Sequence, residues 1–347
     1  MDGGCRASNR SNQLIQLRFP YKVKNMENIR KPVSALDIGG DARRQYMDAK
    51  STFTEWERSV KEAAEVRGGM YWKTQNGKDY LIRTSPSNAQ KSLGPRSPDT
   101  EDIHSRFVER KSQLESRVSN LADRLAVHKR MNRALFVGRA PQMLVDILAM
   151  LDRAGIAEHF TVVGTHALYA YEAAAGVRIG SSDALATQDI DLLWDTRKRI
   201  RFSAKMKITG TSMLGLLKKV DSSFRIRRDQ KYTAVNDRGF EVDILRREAG
   251  QNDPHPLRIT NDEDDFWVTQ AERADELLSA PRFTTMIVSP SGDMARMTTV
   301  SPVAFAKFKR WLAAKPDRDP MKRSRDAMQA AVVDDIVAEY LPQTDRG

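Results

Sequence analysis

Thr187-Gln188-Asp189-Ile190-Asp191-Leu192-Leu193-Trp194 sets two acids among apolar residues at a spacing of two. In a strand that spacing sends both carboxylates to the same side. Like charges held so close repel and are costly to desolvate, and a divalent cation between them resolves the conflict. Phe240-Glu241-Val242-Asp243-Ile244-Leu245 repeats the pattern after the turn Asn236-Asp237-Arg238-Gly239, with Val242 and Ile244 on one face and Glu241 and Asp243 on the other. If the two strands are neighbours, Asp243 joins Asp189 and Asp191. Three carboxylates suit Mg²⁺ or Mn²⁺, hard ions that prefer oxygen ligands and keep positions open for substrate phosphates.

Upstream, Phe160-Thr161-Val162-Val163 reads as a buried strand, and Gly164-Thr165 turns into a helix through His166, Leu168, Tyr169 and Tyr171. A glycine-hydroxyl turn at a helix start is a cradle for phosphate. His166, alone just inside that helix, reads as a packing residue, Asp183 and Asp195 as loop acids, and Glu172 as either structural or functional.

Gly164-Thr165, Asp189-Ile190-Asp191 and Asp243 together resemble the signature of the DNA polymerase-beta-like nucleotidyltransferases: a Gly-Ser turn, an Asp-x-Asp strand and a later third aspartate. Tyr71-Trp72-Lys73, the run Ser92 to Pro98, Gly164 to Tyr169, Asp189 to Asp195 and the stretch Phe305 to Ala330 are similar to a bacterial group with that fold. The resemblance implies an α+β fold, with a mixed-sheet polymerase-beta-like core, long helices before it and a helical part after it. It implies transfer of a nucleoside monophosphate from a nucleoside triphosphate, ATP among the donors, to an acceptor hydroxyl. Asp189, Asp191 and Asp243 are then both the catalytic and the metal-holding residues, for Mg²⁺ or Mn²⁺. Gly164 and Thr165 hold phosphates, helped by Lys322, Arg323 and Arg325, with Lys307 and Lys309 as second choices. Thr165 keeps the hydroxyl where serine is usual. The segment Ala173 to Ala186 is a longer insert than is common, and two readings stand: a mobile loop over the site, or a longer helix and turn.

Outward from this core, residues 1–40 read as a flexible leader, within which Met26 is a candidate start. Residues 41–137 read as helical with a small hairpin across Asn76-Gly77, residues 138–260 as the core, and residues 261–347 as mainly helical. Asp41 to Val66 has one apolar face. Ser97-Pro98 followed by Asp99, Glu101 and Asp102 starts a long helix with a seam through Phe107, Leu114, Val118, Leu121 and Leu125, expected to pack within the chain. Two of the hairpin aromatics beside Lys73, Lys78 and Arg83 are expected against the neighbouring helix, with stacking on bases or sugars as the alternative.

The chain has 347 residues, 40% hydrophobic and 30% charged, with a formal charge of +11 and a mean hydropathy of −0.56. Such a charge favours polyanions, so the expected partners are a nucleoside triphosphate and an RNA acceptor such as a tRNA end, while an ordinary solvated basic surface is an equal reading. A protein or small-molecule acceptor stays open. Cys5 is the one cysteine, which excludes an intrachain disulfide and a cysteine-rich zinc site. No run approaches the ~20 apolar residues of a membrane span, nor does the start look like a signal peptide, so a cytoplasmic enzyme without membrane contact is expected. The competing functions are a regulatory nucleotide- or nucleic-acid-binding protein that retains the fold without turnover, and a metal-dependent nuclease.

Overall fold

The computed structural model describes Met1, residues 35–251 and residues 253–342, and the account below concerns the unit Val33–Gly347. Residues 2–34, most of the expected leader with Cys5 and Met26, lie outside the described residues.

The end of the expected leader is ordered: β1 (Ala35–Asp37) precedes α1 (Gly40–Glu65), which buries Tyr46, Ala49 and Phe53 along one face. β2 (Gly69–Gln75) and β3 (Lys78–Thr84) pair around Asn76-Gly77, whose φ values of 50° and 70° are those the two-residue hairpin turn demands. A third strand, β4 (Gln90–Pro95), completes a small antiparallel sheet. Polar Gln90-Lys91-Ser92 hides it from an apolar alternation count. Trp72 lies 5.8 Å from His104 and carries the Arg96 guanidinium at 5.1 Å, so it packs on the neighbouring helix, while Tyr71 stays exposed. That helix is α2 (Pro98–Ala134), started by Ser97, which exchanges hydrogen bonds with Thr100 in a capping box. Leu114 and Leu121 of the predicted seam are buried, and the partner is α1 of the same chain, joined further by Gln45 and Thr52 hydrogen bonds to the His128 ring.

The core begins with α3 (Gln142–Arg153), β5 (Phe160–Val163), α4 (Leu168–Ala175), β6 (Val177–Ile179), α5 (Ser182–Leu185) and β7 (Asp189–Trp194). The insert before β7 is thus neither a long helix nor a free loop. Gly176, at φ +67°, stops α4; β6 pairs with β1; and α5 buries Ala184 and Leu185. Then come α6 (Arg199–Thr209), α7 (Met213–Val220), β8 (Arg225–Ile226), β9 (Thr233–Val235), β10 (Glu241–Arg247), β11 (Thr269–Ala271) and α8 (Ala274–Ser279). Two further strands, β12 (Arg282–Val288) and β13 (Met294–Val300), precede α9 (Pro302–Ala314) and α10 (Pro320–Tyr340). Both final helices begin with a capping side chain and a proline, Ser301-Pro302 and Asp319-Pro320.

β12 and β13 fall in the part expected to be mainly helical. They are rich in threonine and methionine and carry Arg282 and Arg296, so they lack a clean two-residue hydrophobic beat. They nevertheless form one edge of the central mixed sheet, ordered β12-β13-β5-β7-β10-β9-β8, with β11 beside the far end of β10. The β13–β5 and β7–β10 pairs are parallel, and the others along this order are antiparallel. Each face of the sheet has its own core. Ile190, Leu192, Trp194, Val242 and Ile244 pack in one with α3, α6 and α7 residues such as Leu148, Phe202 and Leu217. Val163 and Leu193 pack in the other with Leu168, Phe305 and Val333 of α4, α9 and α10.

Candidate active site

Register decides which side chains meet. In the parallel β7–β10 pair Asp191 stands opposite Asp243 and Asp189 opposite Glu241. Neighbouring strands lie about 4.8 Å apart, and residues level across a pair point to the same face. The three aspartates therefore share one face, at the starting ends of both strands, on the side away from Ile190, Leu192, Val242 and Ile244. Leu193 and Leu245, further along that same face, run under the cover of the second core. The acids mark where that cover gives out.

Each acid has a particular neighbour. Asp189 accepts a hydrogen bond from the Thr187 hydroxyl, and Asp243 Oδ1 accepts one from Thr233 Oγ1 at 2.5 Å. Asp191 leans on Gly164. That glycine holds φ +69°, and a Cβ placed on it would overlap Asp191 Oδ2. Here the glycine is needed twice, for a backbone angle that L residues avoid and for the space a carboxylate fills.

Burial, then the charges of Asp189 and Asp243, push the Asp191 carboxyl up to about 7, against the opposing fields of Lys309 and Arg318. Asp243 is also raised, by burial and by Asp189 and Glu241, with its Thr233 hydrogen bond pulling the other way. Among the described residues no three His, Cys, Asp or Glu side chains stand as a ready-made metal cage. Asp189 and Asp243 are each engaged by a hydroxyl, of Thr187 and Thr233. The donor set nevertheless fits a hard divalent cation: three carboxylates on one face, mutually repelling.

The Gly164-Thr165 turn continues as a 3₁₀ turn, Thr165–Ala167, into α4. Thr165 Oγ1 accepts from Gln329 Nε2 at 3.0 Å, and the same amide reaches Ala184 O at 2.6 Å. Gln329 thus joins α10 to the turn and to the segment leading into β7. His166 is fully buried, and burial pulls its pKa down to about 4, against a backbone hydrogen bond with Asp189 that raises it. Glu172 is structural: it pairs with Arg139 and accepts from Ile179 N at 2.6 Å. Asp195 caps the turn after β7, accepting from Arg197 Nε at 2.8 Å.

Of the predicted cations, Lys322, Arg323 and Lys307 are not brought to the acids by any side-chain bond, and Lys322 and Lys307 are exposed. Arg325 Nη1 donates to Ala186 O at 3.0 Å, three residues before Asp189. The cations whose fields reach Asp191 are Lys309 and Arg318. They share the buried Asp326, Lys309 Nζ at 2.8 Å from Oδ1 and Arg318 Nε at 2.5 Å from Oδ2. Arg318 and Gln329 escaped the sequence reading. Lys309, Asp326 and Gln329 had a signal: polar residues at helical spacing on the apolar stripes of Phe305 and of Ala330 and Val333.

Residues 142–346, more than half of the chain, match a family model described as nucleotidyltransferase. The chain belongs to this nucleotidyltransferase family. It is accordingly an enzyme of nucleotidyl transfer, and the matched span holds the Gly-Thr turn, all three aspartates and the C-terminal helices, leaving α1, α2 and the small sheet outside. No curated protein and no solved structure matches the chain. Among the described residues no helix is long and apolar enough to cross a membrane.

Proposed function

We propose that this nucleotidyltransferase is metal-dependent and moves a nucleoside monophosphate from a nucleoside triphosphate, ATP being the first donor to try, to an acceptor hydroxyl. The observation that carries this is Asp191 beside Asp243 in register, with Gly164 against Asp191 and Asp189 two residues along the same face. The same arrangement supports placing the family in the polymerase-beta-like superfamily.

Asp189, Asp191 and Asp243 would hold Mg²⁺ or Mn²⁺, which when bound supplies positive charge to the triphosphate and polarises the reacting oxygen. Gly164 lets the backbone approach the phosphates, and Gln329 fixes the Thr165 hydroxyl oxygen so that its proton points elsewhere, toward a phosphate oxygen. Lys309 and Arg318, held by Asp326, place positive charge on the α9–α10 side of the acids. The acceptor oxygen attacks the α-phosphorus in line, its bond forms as the bond to the pyrophosphate oxygen breaks, and the acceptor proton leaves to water.

The test is incubation of the protein with each labelled nucleoside triphosphate, Mg²⁺ or Mn²⁺, and total RNA or total protein. Label entering an acceptor, and lost with Asp189→Asn, is the expected result. Shortened RNA, nucleotide binding without product at every metal, or full activity in Asp189→Asn would overturn the proposal.

A further inference from the structure

Positive charge is unevenly spread along this chain. Residues 196–240, between the Asp-x-Asp strand and the third aspartate, hold thirteen Lys and Arg against three Asp, almost the whole formal excess of +11. Part of this charge borders the acids. β8 is the free edge of the sheet, and it continues the rows in which the acids stand. Arg225 is level with Val235, which is level with Glu241 and then Asp189. Arg227 N bonds Thr233 O, Thr233 is level with Asp243, and Asp243 with Asp191. Arg225 and Arg227 therefore rise on the acid face, one strand beyond Thr233 and Val235.

These two arginines are held in place by Asp237, Asp229 and Glu241, Arg227 Nη1 lying 2.7 Å from Glu241 Oε1. Arg228, Lys231 and Arg238, in the turns at either end of the hairpin, are exposed and have no carboxylate within 4.0 Å among the described residues. Exposed cations without a salt-bridge partner on a sheet edge suit phosphates spaced along a strand. The other side of the acid row, with Gly164, Lys309 and Arg318, is already furnished for the donor triphosphate.

We propose that the β8–β9 edge binds the phosphodiester backbone of a nucleic-acid acceptor, through Arg228, Lys231 and Arg238 with Arg225 and Arg227, so that the strand's terminal hydroxyl reaches the aspartates. The orientation rests on the transfer chemistry proposed above; the binding does not. An equal number of free cations serves as a control. Arg199, Arg201 and Lys207 are exposed on α6, which starts beyond the opposite end of β7 and is tied by Lys205 to Gly155 O at 2.5 Å and Glu158 Oε1 at 2.7 Å.

Affinity of the full chain for a short labelled single-stranded RNA, and for DNA of the same sequence, is measured against salt for two triple variants. Arg228→Glu with Lys231→Glu and Arg238→Glu is expected to weaken RNA binding about tenfold or more at low salt and to flatten the salt slope by about 2, three contacts at about 0.7 each. Arg199→Glu with Arg201→Glu and Lys207→Glu, the same charge change elsewhere, is expected to cost less than about threefold. RNA and DNA both lean on the edge, and the one that takes up label is the acceptor.

Equal losses in both triples would reduce the effect to overall charge and overturn the proposal. So would no loss in either, equally tight edge-dependent binding of anionic vesicles, or label passing to a protein acceptor regardless of the edge triple. Asp189→Asn separates the two readings. Edge-dependent RNA binding that survives in this variant stands even if the wild type transfers no nucleotide, whereas transfer to RNA that ignores the edge triple sinks the edge and spares the chemistry.

Discussion

The two faces of β7 and β10 carry opposite chemistry. On one, Ile190, Leu192, Trp194, Val242 and Ile244 are at most 1% exposed and weld the sheet to α3, α6 and α7. On the other, one residue out of step, Asp189, Asp191 and Asp243 share a face, Asp191 buried against Gly164 and within the fields of the other two, an arrangement that costs stability. Alternate residues of the same strand thus serve opposite ends: one set makes the register, and the register brings the acids together. Acids placed by strand register need no loop to position them, and removing their charges should relax the fold.

Asp191→Asn makes the widest break in that comparison. Transfer should fall on the order of 10³-fold or more. The metal-free protein should become more stable, by about 2–4 °C in melting temperature for each kcal/mol of repulsion and desolvation removed. A thermal melt in chelator beside an activity assay reads both. The opposite face gives the opposite signature: Trp194→Ala, which empties a fully buried position packed on Phe202 at 5.2 Å, should cost about 3–5 kcal/mol in denaturant unfolding. Any activity it loses should follow the folded fraction.

Gly164→Ala tests the contact between turn and acid. An alanine at φ +69° and ψ −158°, a conformation essentially reserved for glycine, costs about 1–3 kcal/mol, and its methyl group must displace Asp191, so transfer should fall about tenfold or more alongside that drop in stability. The smallest effect is a pH slope. A carboxyl raised to about 7 in the fold, from an ordinary 3.8, keeps its proton longer in the native than in the unfolded state. Metal-free stability is therefore greatest below the ordinary value and is lost as pH rises through about 7. Melts in chelator should show this loss in the wild type and a flatter profile in Asp191→Asn, and added Mg²⁺ should stabilise more as pH rises.

Much of the core is readable in the residues because its strands obey one rule. Asp189–Trp194 and Glu241–Leu245 keep a two-residue beat, so their faces follow from the side-chain period alone, while Asp243's place with the other acids also requires the two strands to be neighbours. β12 and β13 break the beat, being buried through threonine, methionine and alanine, and their membership in the sheet depends on tertiary partners: β5 on one side and Tyr46, whose hydroxyl donates to Met286 O at 2.7 Å, on the other. Arg318 could not be placed from sequence either. It reaches Asp326 from the turn between α9 and α10, and nothing local distinguishes it from Lys322 or Arg323 in the first turn of α10. Lys309 was readable in principle, as a charge on an apolar stripe, a position where lysine persists only with a buried partner.

The claim beneath all of this is that Asp189, Asp191 and Asp243 grip divalent cations jointly. Calorimetric titration of Mn²⁺ into the protein with a non-hydrolysable triphosphate, for the wild type and for each single Asp→Asn variant, tests it most directly. A wild-type affinity that drops about tenfold or more in all three variants, each still folded, is the predicted result. Undiminished Mn²⁺ binding in any one of them would contradict it.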